Sequence, residues 1–452
     1  MKIKIGFVAC WLAVSLPALA GQNLLQIYQQ ALSRDPVWAS AQNGNRAAQE
    51  RIVQGQAQYL PVIGMTGNAN ATGTDVKYIG LGNLPPGTPS QRRDGRQAFE
   101  GYSYGLSITQ PLYRPQISAQ LEQAKNYVEQ ADRQLALTQQ NLIVRSSRAY
   151  FDVLLAQDKI ALIEAQQKAI NKQMEQARAN FDVGTATITD VNEAQARRDL
   201  VQAQLIAAAS ELEVKKRSIQ ALIGEMPQAL SGVREDLSPQ LPVPSNMESW
   251  VEVAQLNSLP VAIQARNVEI AAQEVERQNA GHLPTLDAVG SYSNNYVNGG
   301  VTGVGNDLKI ATIGLQLQIP LYQGGAVSSK VREAVANKMK AQDDLEAARR
   351  QAELDTRQAY LNLVSSVAQI KALEQALTSS QSQLDSTQLG YEVGVRNSVD
   401  VLNAQQQFYT AKRDLLQARY TYLVNILSLK AAVGTLGQPD VEAVNQQLVS
   451  NP

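Results

Sequence analysis

Two very long segments of the chain, about 116–182 and 324–392, carry small and apolar residues at helical spacing. Steps of three and four residues separate these positions, as in helices that pack in coiled coils. In the first segment they are Leu121, Ala124, Val128, Ala131 and Leu135, and in the second Leu345, Ala348 and Ala352. The pattern predicts two long coiled-coil helices, and an ordinary helical bundle would show the same period.

A Val-Gly pair ends each long helical pattern, and a shorter helical pattern follows at about 190–223 and 400–433. Glycine readily adopts the positive φ that ends a helix. Three positions then separate a polar residue from an aspartate, which is an Asp variant of the capping box. The two polar pairs are Thr187 with Asp190 and Asn397 with Asp400. The segments 183–190 and 393–400 are therefore predicted to be the tips of two helical hairpins.

Four shorter segments alternate apolar and polar residues, two before each long helix, at about 60–79, 99–110, 284–298 and 308–319. In the second, Tyr102, Tyr104, Leu106 and Ile108 point one way. Such alternation with tyrosines near the ends is typical of membrane β-barrel strands. Four strands cannot close a barrel, so two chains would supply eight strands and three chains twelve, with room for a lumen. A small soluble sheet is the alternative.

The order of helix, two strands, long helix, tip and shorter helix occurs twice, which indicates an internal duplication. Repeat 1 covers 21–223 and repeat 2 covers 248–434, with opening helices at about 24–58 and 248–281. An equatorial linker, 224–247, joins them, and a C-terminal tail, 435–452, follows. Pro111-Leu112-Tyr113 recurs as Pro320-Leu321-Tyr322. The extra residues of repeat 1 are predicted to form a loop at Gly82 to Gly95.

The N-terminal residues 1–20 are typical of a cleaved signal peptide, with Lys2 and Lys4, an apolar run, and Ala18-Leu19-Ala20 at the end. The one cysteine, Cys10, lies inside this segment, so the mature chain excludes thiol chemistry. Without the two lysines, 38 of the 40 basic residues remain against 41 acidic ones, which gives no electrostatic case for nucleic acid. No catalytic set, metal cluster or phosphate loop stands out, so neither an enzyme nor a cofactor is expected.

Together, the duplication, the two strands per half, the Pro-Leu-Tyr motif and the Val-Gly tips resemble the TolC-like family of outer-membrane factors. The resemblance spans essentially all of the mature chain. It implies an α+β membrane protein that forms a homotrimer. Four strands from each chain would build a twelve-stranded β-barrel in the outer membrane, continuous with a long periplasmic α-helical coiled-coil barrel. The implied function is the passive exit duct of a tripartite efflux pump or a type I protein secretion system. A periplasmic adaptor, an inner-membrane transporter and outer-membrane lipid are the implied partners.

The resemblance also implies roles for residues of the two tips. Tyr391 and Arg396 match gate residues that hold the entrance shut, and their partners fall on Thr189 and Asp190. Asp400 matches a ring of selectivity carboxylates. A second family carboxylate falls on Asn403. Val183, Gly184, Val393 and Gly394 match the region where adaptors dock.

Simpler interpretations of these tip residues remain open. Asp190 and Asp400 can cap helices, Arg396 can be a solvated loop charge, and Tyr391 can pack on the neighbouring hairpin. The alternative function is a periplasmic coiled-coil adaptor or scaffold without a membrane barrel. That alternative explains the hairpins but not the two pairs of strands.

Overall fold

The computed structural model describes residues 21–77, 95–234, 236–300 and 304–449. The predicted signal peptide and nearly all of the predicted loop at Gly82 to Gly95 lie outside these residues. The chain divides into two compact units. One comprises Met1–Asn43, Arg133–Ala262 and Ala347–Pro452, and the other comprises Gly44–Asp132 and Ile263–Glu346.

The second unit contains an antiparallel sheet of four strands in the order β1-β2-β3-β4. The strands are β1 (Val62–Val76), β2 (Gly95–Tyr113), β3 (Thr285–Val297) and β4 (Asn306–Gln318). The prediction of four strands per chain is confirmed. Among the described residues, β1 and β4 each pair on one side only, so the sheet has two free edges.

The strand register gives the sheet two chemically different faces. Leu106 lies opposite Met65 and Tyr292, and the rings of Tyr102 and Tyr296 stack with centroids 4.8 Å apart. The same face also carries Ile63, Tyr104, Ile108, Ile313, Leu315 and Leu317, all exposed in the single chain. The opposite face carries mostly hydroxyl and amide side chains, among them Thr66, Asn68, Ser103, Ser107, Ser291, Ser293 and Thr312.

The helices account for most of the remaining chain. They are α1 (Leu24–Arg34), α2 (Pro36–Ala57), α3 (Pro115–Asp182), α4 (Ile188–Ile223), α5 (Met247–Asn257), α6 (Leu259–Asn279), α7 (Ala326–Glu392), α8 (Ser398–Ala432) and α9 (Gln438–Asn445). A 3₁₀ turn, Ala280–His282, follows α6. No helix in the described part of the chain combines the length and apolar character that crossing a membrane requires.

Each repeat opens with two helices where the hydrophobic pattern predicted one. Proline lacks the N–H that continues a helix but fits the first turn of a new one, so Pro36 and Pro260 each mark a restart. At the first break, Asp35 is extended and its carboxylate accepts a hydrogen bond from the Val37 N–H at 2.7 Å. Arg145 pairs with this buried carboxylate at 2.6 Å, which compensates the cost of burying its charge.

The first unit is organised around an apolar core to which the tail belongs. Val441 and Val444 of α9 are buried there, as is Leu448. The linker between α4 and α5 forms isolated bridges to both ends of the described chain, from Leu230 to Gln22 and from Val233 to Leu448. The predicted tail thus lies outside the repeat in sequence but inside the core in the fold.

Candidate functional site

The tip between α3 and α4 is closed by backbone hydrogen bonds. The Gly184 N–H donates to the Phe181 carbonyl at 2.9 Å, and the Thr185 and Ala186 N–H groups donate to the Asn180 carbonyl at 2.8 and 3.2 Å. Gly184 has φ of 76°, the left-handed conformation that lets the chain turn back.

The tip between α7 and α8 repeats this backbone arrangement. The Gly394 N–H donates to the Tyr391 carbonyl at 3.1 Å, and the Val395 and Arg396 N–H groups donate to the Gly390 carbonyl at 2.9 and 3.0 Å. Gly394 has φ of 78°. The two tips, 183–187 and 393–397, therefore have one backbone conformation.

Both predicted capping boxes are confirmed, with different geometry. The Asp190 carboxylate accepts from the Thr187 N–H at 3.0 Å and from the Thr187 hydroxyl at 2.7 Å, and the Asp190 N–H donates to that hydroxyl at 3.3 Å. In the second tip the Asp400 N–H donates to the Asn397 side chain at 2.8 Å, while the Asp400 carboxylate is 3.4 Å from the Asn397 N–H. The Asp400 carboxylate is thus held less tightly by its cap.

Within this single chain, Tyr391 and Arg396 have partners other than those predicted. The Tyr391 hydroxyl accepts a hydrogen bond from the Asn180 amide at 3.1 Å. One guanidinium nitrogen of Arg396 lies 3.8 Å from the Asp400 carboxylate, four residues along the chain, the spacing at which helical side chains meet. Among the described residues, neither side chain bonds to Thr189 or Asp190. The gate links of Tyr391 and Arg396 to those two residues stay a prediction.

Gly390 leaves the space that the Arg396 side chain occupies. A Cβ added at Gly390 would lie 2.7 Å from the Arg396 Cγ, too close without a shift. The equivalent residues in the first tip are Asn180 and Ala186, so the larger side chain has changed position between the two tips. This exchange of size was visible in the sequence and was not used in the prediction.

Two further hydrogen bonds join the hairpins. The Gln173 amide donates to the Ser398 hydroxyl at 3.3 Å, and Arg197 donates to the Asn403 amide oxygen at 2.9 Å. Asn403, which matches the family's second carboxylate, therefore accepts from a cation on α4. Sequence reasoning missed both contacts because their partners lie more than 200 residues apart, and no local pattern joins them.

Apolar side chains at the tips face outward in the single chain. Val183 is 73% exposed and Val393 is 66% exposed. The described residues also contain no group of three or more histidine, cysteine or acidic side chains that could hold a metal ion. The exposed tips thus carry both polar and apolar side chains, and adaptor docking at Val183, Gly184, Val393 and Gly394 stays a prediction.

The comparison with protein-family models identifies the chain. The model of the outer membrane efflux protein family matches residues 27–225 and again 250–435, once in each repeat. This chain belongs to the outer membrane efflux protein family. The outer membrane protein TolC of Vibrio cholerae is 32% identical over 444 residues, which cover 98% of this chain and 97% of that protein. The proteases secretion protein PrtF of Dickeya chrysanthemi is 29% identical over 451 residues, covering 98% and 94%.

This chain has the same fold as a solved structure of CusC. The CusC structure superposes with a TM-score of 0.76 at 17% identity and covers 93% of this chain and 95% of that chain. The sequence similarity to TolC and the structural similarity to CusC both extend along almost the whole chain. The family relationship therefore includes the strands as well as the tips.

Proposed function

We propose that this chain is one subunit of a trimeric outer-membrane channel that serves as the passive exit duct of an efflux pump or a type I protein secretion system. Its relatives include an outer membrane efflux protein of Brucella suis and an alkaline protease secretion protein of Pseudomonas aeruginosa. Those names support export as the function and leave the cargo open.

The four-stranded sheet is the observation that carries the proposal. One face is apolar and rich in tyrosine, the other carries hydroxyls and amides, and the outer edges of β1 and β4 have no pairing strand among the described residues. In lipid an unpaired strand edge leaves backbone groups without hydrogen bonds. β4 of one chain next to β1 of another would continue the antiparallel order. Three chains would then close a barrel of twelve strands, with the apolar face in lipid and the polar face around a lumen.

The helices would continue the duct into the periplasm, and the tips would form its gated entrance. Tyr391 and Arg396 would link to Thr189 and Asp190 across the hairpins of neighbouring chains, and Asp400 would form a carboxylate ring on the axis. Three like charges near an axis attract cations. Opening would separate the tips by movement of whole hairpins, driven by a periplasmic adaptor and an inner-membrane transporter. Val183, Gly184, Val393 and Gly394 would contact the adaptor.

Single-channel recording in a planar bilayer tests this proposal with the purified full chain, as wild type and as Asp400→Ala. We expect a cation-selective pore of low conductance whose selectivity falls in the variant. Arg413→Ala is the control, because Arg413 lies on the same helix and pairs with Asp414. A pore with unchanged selectivity would leave the duct intact and reduce Asp400 to a helix cap.

The alternative function, a periplasmic adaptor or scaffold without a barrel, predicts a different result. A folded sample that forms no pore, and that is released from cell envelopes without detergent, would overturn the duct. Extraction only by detergent, as an oligomer that dissociates on heating, would exclude the adaptor.

A further inference from the structure

A cavity of about 610 Å³ lies where the sheet meets the helices of the second unit, a size typical of small-molecule sites. The ends of β1 and β2 line it together with the first turns of α3, the last turns of α6 and the start of α7. Val62 and Thr109 face it, so it lies on the same side as the hydroxyl-rich face of the sheet.

Three cationic residues line this cavity, and none of the described residues that line it is acidic. The cations are Arg114, Arg277 and Lys330. The side-chain amides of Gln116, Gln120 and Gln323 also line it. A site with this composition offers many N–H donors and positive charge, which suits an anion that accepts several hydrogen bonds.

Each of the two guanidinium groups is held by a bidentate ion pair that uses its Nε and Nη2 atoms. The Nη1 atom of each group takes no part in that pair. Arg114 donates through Nε and Nη2 to Asp287 at 2.8 and 2.6 Å. Arg277 donates in the same way to Glu274 at 2.8 and 2.6 Å. These bonds lower the pKa of Glu274 to about 2, so the pair is charged at neutral pH. The Nη1 groups of both arginines have no partner among the described residues.

Lys330 carries the one positive charge in the cavity lining that is not paired with a carboxylate of the described chain. Its ammonium group is exposed on the first turns of α7 and forms no ion pair within the described chain. The other two cations are each neutralised by a carboxylate, so the cavity keeps one net positive charge per chain. A lysine ammonium can reorient to different anions, whereas the fixed arginine forks set the direction of binding.

We propose that this cavity binds a soluble organic anion, whose carboxylate or phosphate group contacts Lys330 and the free Nη1 groups of Arg114 and Arg277. Gln116, Gln120 and Gln323 donate to the remaining oxygens. The cavity lies on the polar side of the sheet, away from the apolar face, which favours a soluble anion over a membrane lipid. The assignment of that anion as exported cargo rests on the proposed function, whereas the binding does not.

Calorimetric titration of citrate, a small tricarboxylate, into the purified full chain tests the site. We expect Lys330→Gln to weaken citrate binding about tenfold, because a hydrogen bond to a charged group is lost. Lys330→Arg keeps the charge and is expected to bind within about threefold of wild type. Lys340→Gln is the matched control, since Lys340 lies on the same helix outside the cavity and pairs with Asp344 at 2.7 Å.

Equal weakening by Lys330→Gln and Lys340→Gln would overturn the site, as would an unchanged affinity in Lys330→Gln. The same titration in nanodiscs of phosphatidylcholine or phosphatidylglycerol separates the two sources of the anion. Equal citrate affinity in both lipids is expected. A lower citrate affinity in phosphatidylglycerol than in phosphatidylcholine, with no such difference for Lys330→Gln, would assign the cavity to a lipid head group instead.

The outcome is independent of the pore measurement. A protein that conducts but does not bind citrate contradicts this inference alone. A protein that binds citrate but forms no pore contradicts the proposed function alone.

Discussion

The two hairpin tips have one backbone conformation and different side-chain chemistry. Asp190 accepts two hydrogen bonds from Thr187, at 3.0 and 2.7 Å, and is fully engaged as a cap. The Asp400 carboxylate has one long contact to its cap residue, at 3.4 Å, and a cation 3.8 Å away, while the Asp400 N–H donates to the Asn397 side chain at 2.8 Å. The two tips thus share one shape, but the Asp400 carboxylate is held less tightly by its cap residue than the Asp190 carboxylate.

A second difference concerns which tip presents a cation. The first tip has Asn180 and Ala186, and the Asn180 amide reaches across to Tyr391. The second has Gly390 and Arg396, and the glycine makes room for the long side chain. One tip therefore supplies a neutral donor to its neighbour, and the other supplies an exposed positive charge. Gating by charge is expected to depend on the second tip.

The largest effect is expected from Arg396→Ser, which removes that charge. An exposed ion pair is worth about 0.5 kcal/mol, so losing its three copies in the proposed trimer would raise the open population about tenfold. Single-channel recording measures this directly. Ala186→Ser changes the equivalent position of the first tip and is expected to leave conductance unchanged. Equal conductance in both variants would remove Arg396 from the gate.

A smaller effect is expected from Gly390→Asn, which gives the second tip the residue of the first. Its Cβ would meet the Arg396 side chain, and overpacking of this kind costs about 1 kcal/mol. Adding Arg396→Ala should recover most of that stability, because the clash disappears. A double-mutant cycle by chemical denaturation measures the coupling. Strictly additive effects would show that the two side chains do not compete for the same space.

The smallest effect is the expected difference in stability loss between replacing Asp190 and replacing Asp400. Asp190→Ala is expected to cost about 1 kcal/mol of local stability and Asp400→Ala about half as much, because only the Asp190 carboxylate accepts short hydrogen bonds from its cap residue. Hydrogen–deuterium exchange in the first turns of α4 and α8 reports each loss separately. The reverse order would mean that Asp400 is the tighter cap and that the comparison between the tips fails.

Much of the fold could be predicted because it depends on local periodicity. Consecutive residues show a helical period over α3 and α7 and a two-residue period in β2 and β4. The capping boxes are equally local. The breaks before Pro36 and Pro260 were missed because the hydrophobic pattern continues through them. The packing of Val441 and Leu448 in the core was missed because the tail repeats nothing elsewhere in the chain.

The contacts of the site were much harder to predict. Asn180 meets Tyr391, and Arg197 meets Asn403, across more than 200 residues of chain. No spacing rule connects such pairs, since their approach depends on how two hairpins pack. The family resemblance predicted which positions of the tips have a role. It did not predict the partners that each of these side chains has within one chain.

The free edges of the sheet have a consequence for the life of a newly made chain. A solitary chain exposes two strands of 15 and 13 residues, each with an unused row of backbone donors and acceptors, and such edges are templates for aggregation. Neither water nor lipid satisfies both the apolar face and these edges. In the proposed trimer these edges pair with neighbouring chains, so we expect slow assembly to leave the chain exposed to chaperones and proteases.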